Sequence, residues 1–157
     1  MVDSISEAER ERLGQELLAA IMNTQEFDAA KMENLLDRGA SVQACCEWGL
    51  SALSWASIRG YKEMAVRLID QGADINSRDN NLATPLILAT VYGHKDIVEL
   101  LIARGADPEA RGSDGRTARD WAILKDNPPI RRIIEAAQTA WQERLLTRRR
   151  THFNLGL

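Results

Sequence analysis

Aromatic, sulfur-bearing and imidazole side chains are scarce in this chain. Of its 157 residues, 5% are aromatic, two are cysteine and two are histidine. Cys45 and Cys46 are adjacent, so they cannot join distant segments through a disulfide framework. A structural zinc site needs four nitrogen or sulfur donors in spaced pairs, and these cysteines have no second pair. We therefore expect neither a disulfide framework nor a bound metal.

The common sequence motifs of catalysis are missing too. The sequence shows no glycine-rich phosphate loop, no H-E-x-x-H motif and no Ser/His/Asp arrangement. A nucleophilic thiol needs a nearby base, and the only histidines are His94 and His152. We predict a non-enzymatic protein that has no catalytic residue and no cofactor.

Long apolar runs and a strong net charge are absent as well. No run of 18 apolar residues exists, and a net charge of -3 gives no global attraction to nucleic acid or acidic membranes. Residues 1–14 are polar and acidic and lack the basic and apolar regions of a secretory signal. We expect a cytoplasmic protein, and its 45% hydrophobic content is enough for one folded domain.

What the sequence does contain is an internal repeat. Three Gly-Ala pairs recur at intervals of 33 residues, each shortly after an apolar doublet; they are Gly39-Ala40, Gly72-Ala73 and Gly105-Ala106. Two further sets keep the same interval, namely Ser51, Thr84 and Thr117, and Ala56, Ala89 and Ala122. A fixed period of this length indicates stacked structural units.

Each unit reads as two helices and a turn. Thr84 and Pro85 suit the N-cap and the first position of a helix, which Gly93 then ends. In the following segment, "HKDIVELLIARG", apolar residues recur at helical spacing, and Gly105 suits the left-handed position that closes this second helix. The segment after it, "ADPEARGSDG", contains an Asp-Gly turn.

These residues resemble the ankyrin repeat, whose pattern runs D-x-x-G-x-T-P-L-H-x-A-x-x-x-G-H and ends in L-L-x-x-G-A-D. The best match is "DNNLATPLILATVYGHKDIVELLIARGAD", residues 79–107, which departs mainly at Leu82 and Ile87. Repeat-like sequence covers roughly residues 28 to 136. The histidine of the T-P-L-H tetrad, which in the family bridges hairpin backbones, is replaced throughout; Ser54, Ile87 and Asp120 stand at its positions.

The resemblance implies an all-α fold, an ankyrin-repeat solenoid of stacked helix-turn-helix units with hairpin loops, to which the residues after Asn127 add an extended C-terminal helix. We predict a single domain made of an N-terminal capping unit, two repeats, a C-terminal capping repeat and a helical extension with a tail. Their bounds are 6–40, 41–73, 74–106, 107–136 and 137–157.

Both ends of the array look modified for contact with water. Ser6 and Glu9 form a capping-box pattern before an apolar stripe of Leu13, Leu17 and Ile21. The spacing that follows is about one helical turn longer than in the family, which predicts an extended first helix or a longer loop around residues 23–26.

At the other end, Asn127 and Pro128 start a helix that reaches no Gly-Ala stop. An apolar stripe continues along it, through Ile130, Ile133, Ile134, Ala137, Trp141 and Leu145. From about Trp141 onward this helix overruns the stack and must fold back or project.

Ankyrin-like stacks are interaction scaffolds, so the resemblance implies binding of a protein partner at a concave face of hairpin tips and first helices. The family's variable positions fall on Cys45, Glu47, Trp48, Leu50, Ile58, Arg59, Arg78, Asn80, Asn81, Ala83, Val91, Tyr92, Arg111, Ser113, Asp114, Arg116, Leu124 and Lys125. Tryptophan, tyrosine and arginine dominate binding hot spots. The expected anchors are therefore Trp48, Arg59, Arg78, Tyr92, Arg111 and Arg116.

The row of arginines suits a protein partner of acidic character. We do not expect nucleic acid, a membrane or a small molecule as the partner. Trp55 and Trp121, beside the repeat alanines, are expected to pack in the core. Three alternatives stay open: a binder modulated by the thiols of Cys45 and Cys46, association of the arginine-rich segment 144–150 with nucleic acid or another acidic surface, and assembly through Trp141 and Leu145.

Overall fold

The computed structural model describes residues 5–23 and 28–153, with side chains through residue 147. This part of the chain forms eight α helices and no β strand, which confirms the all-α prediction. The helices are α1 (Glu7–Met22), α2 (Ala29–Asp37), α3 (Ala52–Arg59), α4 (Lys62–Asp70), α5 (Pro85–Val91), α6 (Lys95–Ala103), α7 (Ala118–Leu124) and α8 (Pro128–Phe153).

Consecutive helices pair with each other, and the pairs stack so that the helices form two layers. In the first layer α1, α3, α5 and α7 each contact the next, and in the second layer α4 contacts α6, which contacts α8. We call α1, α3, α5 and α7 the first helices and α2, α4, α6 and α8 the second helices. Between the layers lies one continuous core, whose largest fully buried side chains include Leu17, Leu53, Leu68, Leu86 and Leu101.

Side chains at one repeat position start three of the first helices. Ser51, Thr84 and Thr117 each cap a helix by accepting a hydrogen bond from the amide three residues on. Such caps contribute about 1 kcal/mol each, because they satisfy amide groups that have no partner within the helix. The expected N-cap at Thr84 and the proline at the first helical position are both present.

The hairpins that precede these helices share a left-handed residue at one position. Gly49 and Gly115 occupy it with φ of 74° and 76°, and Leu82 occupies it with φ of 58°. A side chain is strained in this region of φ,ψ space because Cβ approaches the following carbonyl oxygen. The departure from glycine that the sequence shows at Leu82 therefore carries a local conformational cost.

The N-terminal end begins with a helix twice as long as most of the others. α1 has 16 residues, against 8 in α3, which agrees with the predicted extended first helix. Ser6 caps it by accepting from the amide of Glu9, and the predicted stripe of Leu13, Leu17 and Ile21 is buried. Residues 24–26, where a longer loop was the other expectation, lie outside the described residues.

The C-terminal helix projects beyond the stack. α8 has 26 residues, so it is about 39 Å long, against roughly 14 Å for the nine-residue α6. Ile130 and Ile134 in its first turns are buried in the core, whereas residues 142–147 are exposed. The helix continues without a break to Phe153, so the segment after Trp141 does not fold back.

Charged side chains replace apolar ones where the stack ends. Arg119 stands one repeat after the buried Leu86, and Glu135 one repeat after Ile102, which packs against the core. Arg119 Nε lies 3.0 Å from Glu135 Oε1, and Arg131 Nε lies 3.7 Å from the same oxygen. These ion pairs present a polar surface where a further repeat would otherwise stack.

Candidate functional site

The hairpin tips, residues 45–50, 78–83 and 111–116, form a hydrogen-bonded row. The amide of Asn80 donates to the carbonyl oxygen of Trp48 at 3.0 Å, and Asn80 Nδ2 donates to that of Glu47 at 3.0 Å. In the next gap, the amide of Ser113 donates to the carbonyl oxygen of Asn81 at 2.8 Å. Each tip is therefore held by its neighbour, and the three tips act as one surface.

In the second hairpin an acidic side chain supplements the backbone pairing. Asp79 Oδ1 accepts from the amides of Asn81 and Ala83, both at 2.8 Å. Cys46 holds the equivalent place in the first hairpin, where its backbone bonds to Leu50 and Gly49 close the turn. The first tip thus depends on backbone bonds and on Asn80 of the next repeat.

The third tip is closed by a carboxylate. Asp114 Oδ1 accepts from the amide of Arg116 at 2.9 Å, and Asp114 Oδ2 lies 3.1 Å from Arg116 Nη1. The amide hydrogen bond, followed by the side-chain bond and the charge of Arg116, lowers the pKa of Asp114 below its usual value. Asp114 therefore stays ionised at physiological pH, and its charge is paired with that of Arg116 within the tip.

Beside the tips, the first helices expose one side to solvent. On α5 and its C-cap residue, the half-buried Leu88 and Val91 and the exposed Tyr92 share this side, because they are three or four residues apart. Their repeat equivalents on α3 and α7 lie in the same rows. We call the nine residues the first-helix face: Trp55, Ile58, Arg59, Leu88, Val91, Tyr92, Trp121, Leu124 and Lys125.

This face is apolar at its centre and carries no acidic side chain. Tyr92 is 56% exposed and Leu124 is 58% exposed, while Ile58 and Val91 are half-buried. Its two ionisable groups other than Tyr92 are Arg59 and Lys125, both cationic. The sequence pattern placed Trp55 and Trp121 in the core, and Leu88, at the same repeat position, was not among the predicted binding residues.

The two tryptophans lie at the edge of the core. Both are half-buried, and each has a guanidinium over its ring, Arg59 at 5.7 Å from the Trp55 centroid and Arg116 at 5.5 Å from that of Trp121. Such cation–π contacts stabilise the arginines in fixed positions. The expectation that both rings pack in the core is therefore only partly met. Their three-residue spacing from Ile58 and Leu124 is the signal that could have placed them on this face.

Most of the predicted binding residues are exposed or half-buried. Trp48, on the first tip, is 52% exposed. Leu50 is the exception, since its side chain is buried and cannot contact a partner. We therefore withdraw Leu50 from the candidate set; its carbonyl oxygen serves instead as the acceptor for the amide of Cys46.

The predicted arginine anchors already make bonds within the chain. Arg59 Nη2 donates to the carbonyl oxygen of Met22 at 3.3 Å, and Arg78 Nη1 donates to that of Arg111 at 3.2 Å. Arg111 Nη1 in turn donates to the carbonyl oxygen of Gly115 at 2.7 Å. A guanidinium has five N–H groups, so each arginine keeps donors for a partner while its position is fixed.

Serine and aspartate side chains stand in for the missing T-P-L-H histidine. Ser51 Oγ lies 3.1 Å from both Ser54 Oγ and Ser77 Oγ, and so connects two hairpin regions. In the last repeat, Asp120 Oδ2 accepts from the amide of Thr117 at 3.0 Å and from its hydroxyl at 2.9 Å. Chiefly the amide bond lowers the pKa of Asp120 below its usual value.

His94 and the cysteines occupy different environments. His94 Nε2 lies 2.9 Å from the carbonyl oxygen of Ile58, to which it donates in the tautomer that carries the Nε2 proton. This contact joins two repeats and gives His94 a structural role. Cys45 is exposed and Cys46 is half-buried, and both are free thiols.

In the described part of the chain, no helix is long and apolar enough to cross a membrane.

Two layers of paired helices, joined by hairpins and repeating every 33 residues, define a helical solenoid. The family described as "Ankyrin repeats (3 copies)" matches residues 17–112, which is more than half of the chain. The chain belongs to the ankyrin repeat family, as the sequence motifs predicted. Members of this family typically mediate protein–protein interaction and are typically non-catalytic. Comparison with curated proteins gives no match.

Proposed function

We propose that this protein is a non-catalytic module that binds a protein partner through the concave face, formed by the hairpin tips and the first-helix face. The observation that carries the proposal is the distribution of exposed large apolar side chains. Within the described residues they lie on hairpin tips, on first helices and on the far part of α8; they are Trp48, Leu82, Tyr92, Ile123, Leu124, Leu145 and Leu146. The second helices α2, α4 and α6 carry none of them.

The rigidity of the surface supports the same proposal. The tips are connected by four hydrogen bonds between repeats, one of which also fixes Arg78. Association then orders few side chains, which lowers its entropic cost. Exposed aromatic residues on such a surface, Trp48 and Tyr92 above all, have the character of hot spots.

The test is capture of the partner from the native source by parent and variant proteins. Trp48→Ala combined with Tyr92→Ala removes two exposed side chains and should leave the fold intact, while partner capture falls by at least about 30-fold. A matched variant, Lys62→Ala with Glu63→Ala, alters exposed residues of α4 and should capture normally. Capture at parental level by the Trp48→Ala, Tyr92→Ala protein would refute the proposed surface.

The exposed leucines of α8 favour one second candidate, association through the C-terminal helix. Leu145 and Leu146 are exposed beside Arg144, in the part of α8 that extends past the stack. Leu145→Ala with Leu146→Ala abolishes capture if α8 is the contact and leaves it unchanged if the concave face is.

Capture under reducing and oxidising conditions tests the thiol alternative in the same assay, since equal affinity excludes it.

A further inference from the structure

The first-helix face has a specific chemical character that narrows the class of partner. Seven of its nine side chains are apolar or aromatic, two are cationic, and none is acidic. The whole chain, in contrast, has a net charge of -3. The negative charge of the protein is therefore excluded from this face.

Two carboxylates of the last repeat are already bound within the chain. Asp120 accepts two hydrogen bonds from Thr117, and Asp114 is paired with Arg116. Arg59 and Lys125, at opposite ends of the face, have no ion pair in the part of the chain that the structure describes. Two cations separated by an apolar strip are complementary to a segment with apolar side chains and acidic flanks.

The α3 end of the face also holds hydrogen-bond donors without acceptors. Trp55 Nε1 and Arg59 Nε are buried and make no hydrogen bond within the described residues. Burial of an unbonded N–H group is unfavourable, because the group loses its hydrogen bonds to water. A small side-chain movement on binding would let a carboxylate oxygen accept from these two donors, which belong to neighbouring turns of one helix.

The spacing of the rows limits how apolar groups of a partner can be arranged. Packed helices lie about 8 to 10 Å apart, so successive rows on α3, α5 and α7 recur at roughly that interval. An extended polyproline-type segment places every third side chain on one side at about 9 Å intervals. A helix places every seventh at about 10.5 Å.

From these observations, and resting on the proposed function above, we propose that the first-helix face binds an acidic segment of a partner protein whose apolar side chains recur every three residues if extended or every seven if helical. Single-stranded nucleic acid fits less well. Base stacking needs free ring faces, whereas the faces of Trp55 and Trp121 are each approached by an arginine of the chain itself.

Selection from a random 16-residue peptide library on the full chain tests this inference. The enriched peptides should be rich in aspartate and glutamate and carry apolar residues at spacing three or seven. Binding of a selected peptide should weaken by at least about 30-fold in the Tyr92→Ala, Leu124→Ala protein, because both side chains are exposed contact residues. Circular dichroism checks that this variant is folded.

Charge reversal supplies a matched comparison. Lys125→Glu, on the face, should weaken the selected peptide about fivefold, whereas Lys31→Glu, an exposed position on α2, should not. Enrichment of basic or uncharged peptides, unchanged binding in the double variant, or displacement of the peptide by a uridine 12-mer would each overturn the inference.

Failure of this inference is distinguishable from failure of the proposed function. If the natural partner still requires Trp48 and Tyr92 for capture but the library gives no acidic consensus, the concave face is correct and the acidic segment is wrong. If capture ignores Trp48 and Tyr92, the proposed function itself is wrong.

Discussion

The two helix layers of the stack share one core but have different outer surfaces. On the second helices, charges pair between neighbouring repeats, as in Arg67 with Asp37 at 2.8 Å and Arg104 with Asp70 at 2.6 Å. On the first helices, Tyr92 and Leu124 are exposed and the cations have no acidic neighbour on the same face. The charges on the second helices are thus paired within the chain. The first helices keep exposed apolar area and positive charge that a partner can contact.

The largest predicted change in stability comes from a substitution in the core that both helix layers share. Leu101 is fully buried between them, and Leu101→Ala should lower the free energy of unfolding by about 3 kcal/mol, through lost burial and a residual cavity. Urea unfolding followed by circular dichroism measures the change. Because both layers rest on this core, a loss below about 1 kcal/mol would mean that the two surfaces are supported independently.

A smaller effect should appear at the start of α7, where the first-helix layer ends. Asp120→Ala removes the acceptor for the amide and hydroxyl of Thr117 and should cost about 1 kcal/mol near pH 7. The pKa of Asp120 is lowered in the folded state, so its contribution is fully present above its unfolded pKa of about 3.8 and disappears as pH falls through the lower folded value.

Unfolding of the parent and of Asp120→Ala at several pH values checks this sign. The difference between them should be constant from neutral pH to about pH 5 and then shrink in more acidic solution. Glu33→Ala, at an exposed position of α2, serves as a comparison that leaves the Thr117 cap intact. A difference that grows on acidification would contradict the assigned role of Asp120.

A stabilising change is expected on the hairpin side. Leu82→Gly removes a side chain from a left-handed residue and should raise the free energy of unfolding by about 0.5 kcal/mol, since relief of strain exceeds the added freedom of the unfolded chain. Ala83→Gly, next to it in ordinary backbone, should destabilise. Thermal unfolding of both variants measures the difference, and equal effects would contradict a strained Leu82.

The smallest predicted change in stability comes from a substitution on the outer surface of the second helices. Arg104→Gln breaks the ion pair with Asp70, whose side chain is more than half exposed, and should change the free energy of unfolding by less than about 0.5 kcal/mol. The change should shrink further at 1 M salt because exposed charges are screened. A loss of several kcal/mol that persists at high salt would show that this surface is held by more than exposed pairs.

Local patterns predicted most of the fold because they act within a few residues. Thr84 and Pro85 begin a helix, and Gly105 closes one, for reasons that depend only on the neighbouring backbone. The apolar stripe of α8 likewise predicted its length, although only the structure shows that the helix projects. The division of the chain into capping units and repeats stays a prediction.

The candidate site was harder to predict, because exposure depends on contacts between repeats. Leu50 was expected to contact a partner and is buried. Trp55 and Trp121 were expected in the core, yet each lies half-buried under an arginine from its own repeat or the preceding hairpin. In each pair the ring and the guanidinium are only four or five residues apart, and the 33-residue period alone does not reveal their contact.

Amide hydrogen exchange of the full chain, with and without its captured partner, shows which surface the partner covers. We expect slower exchange at the hairpin tips, residues 45–50, 78–83 and 111–116, with the second helices unchanged. Slower exchange confined to α4 and α6, or to α8 beyond Trp141, would contradict it.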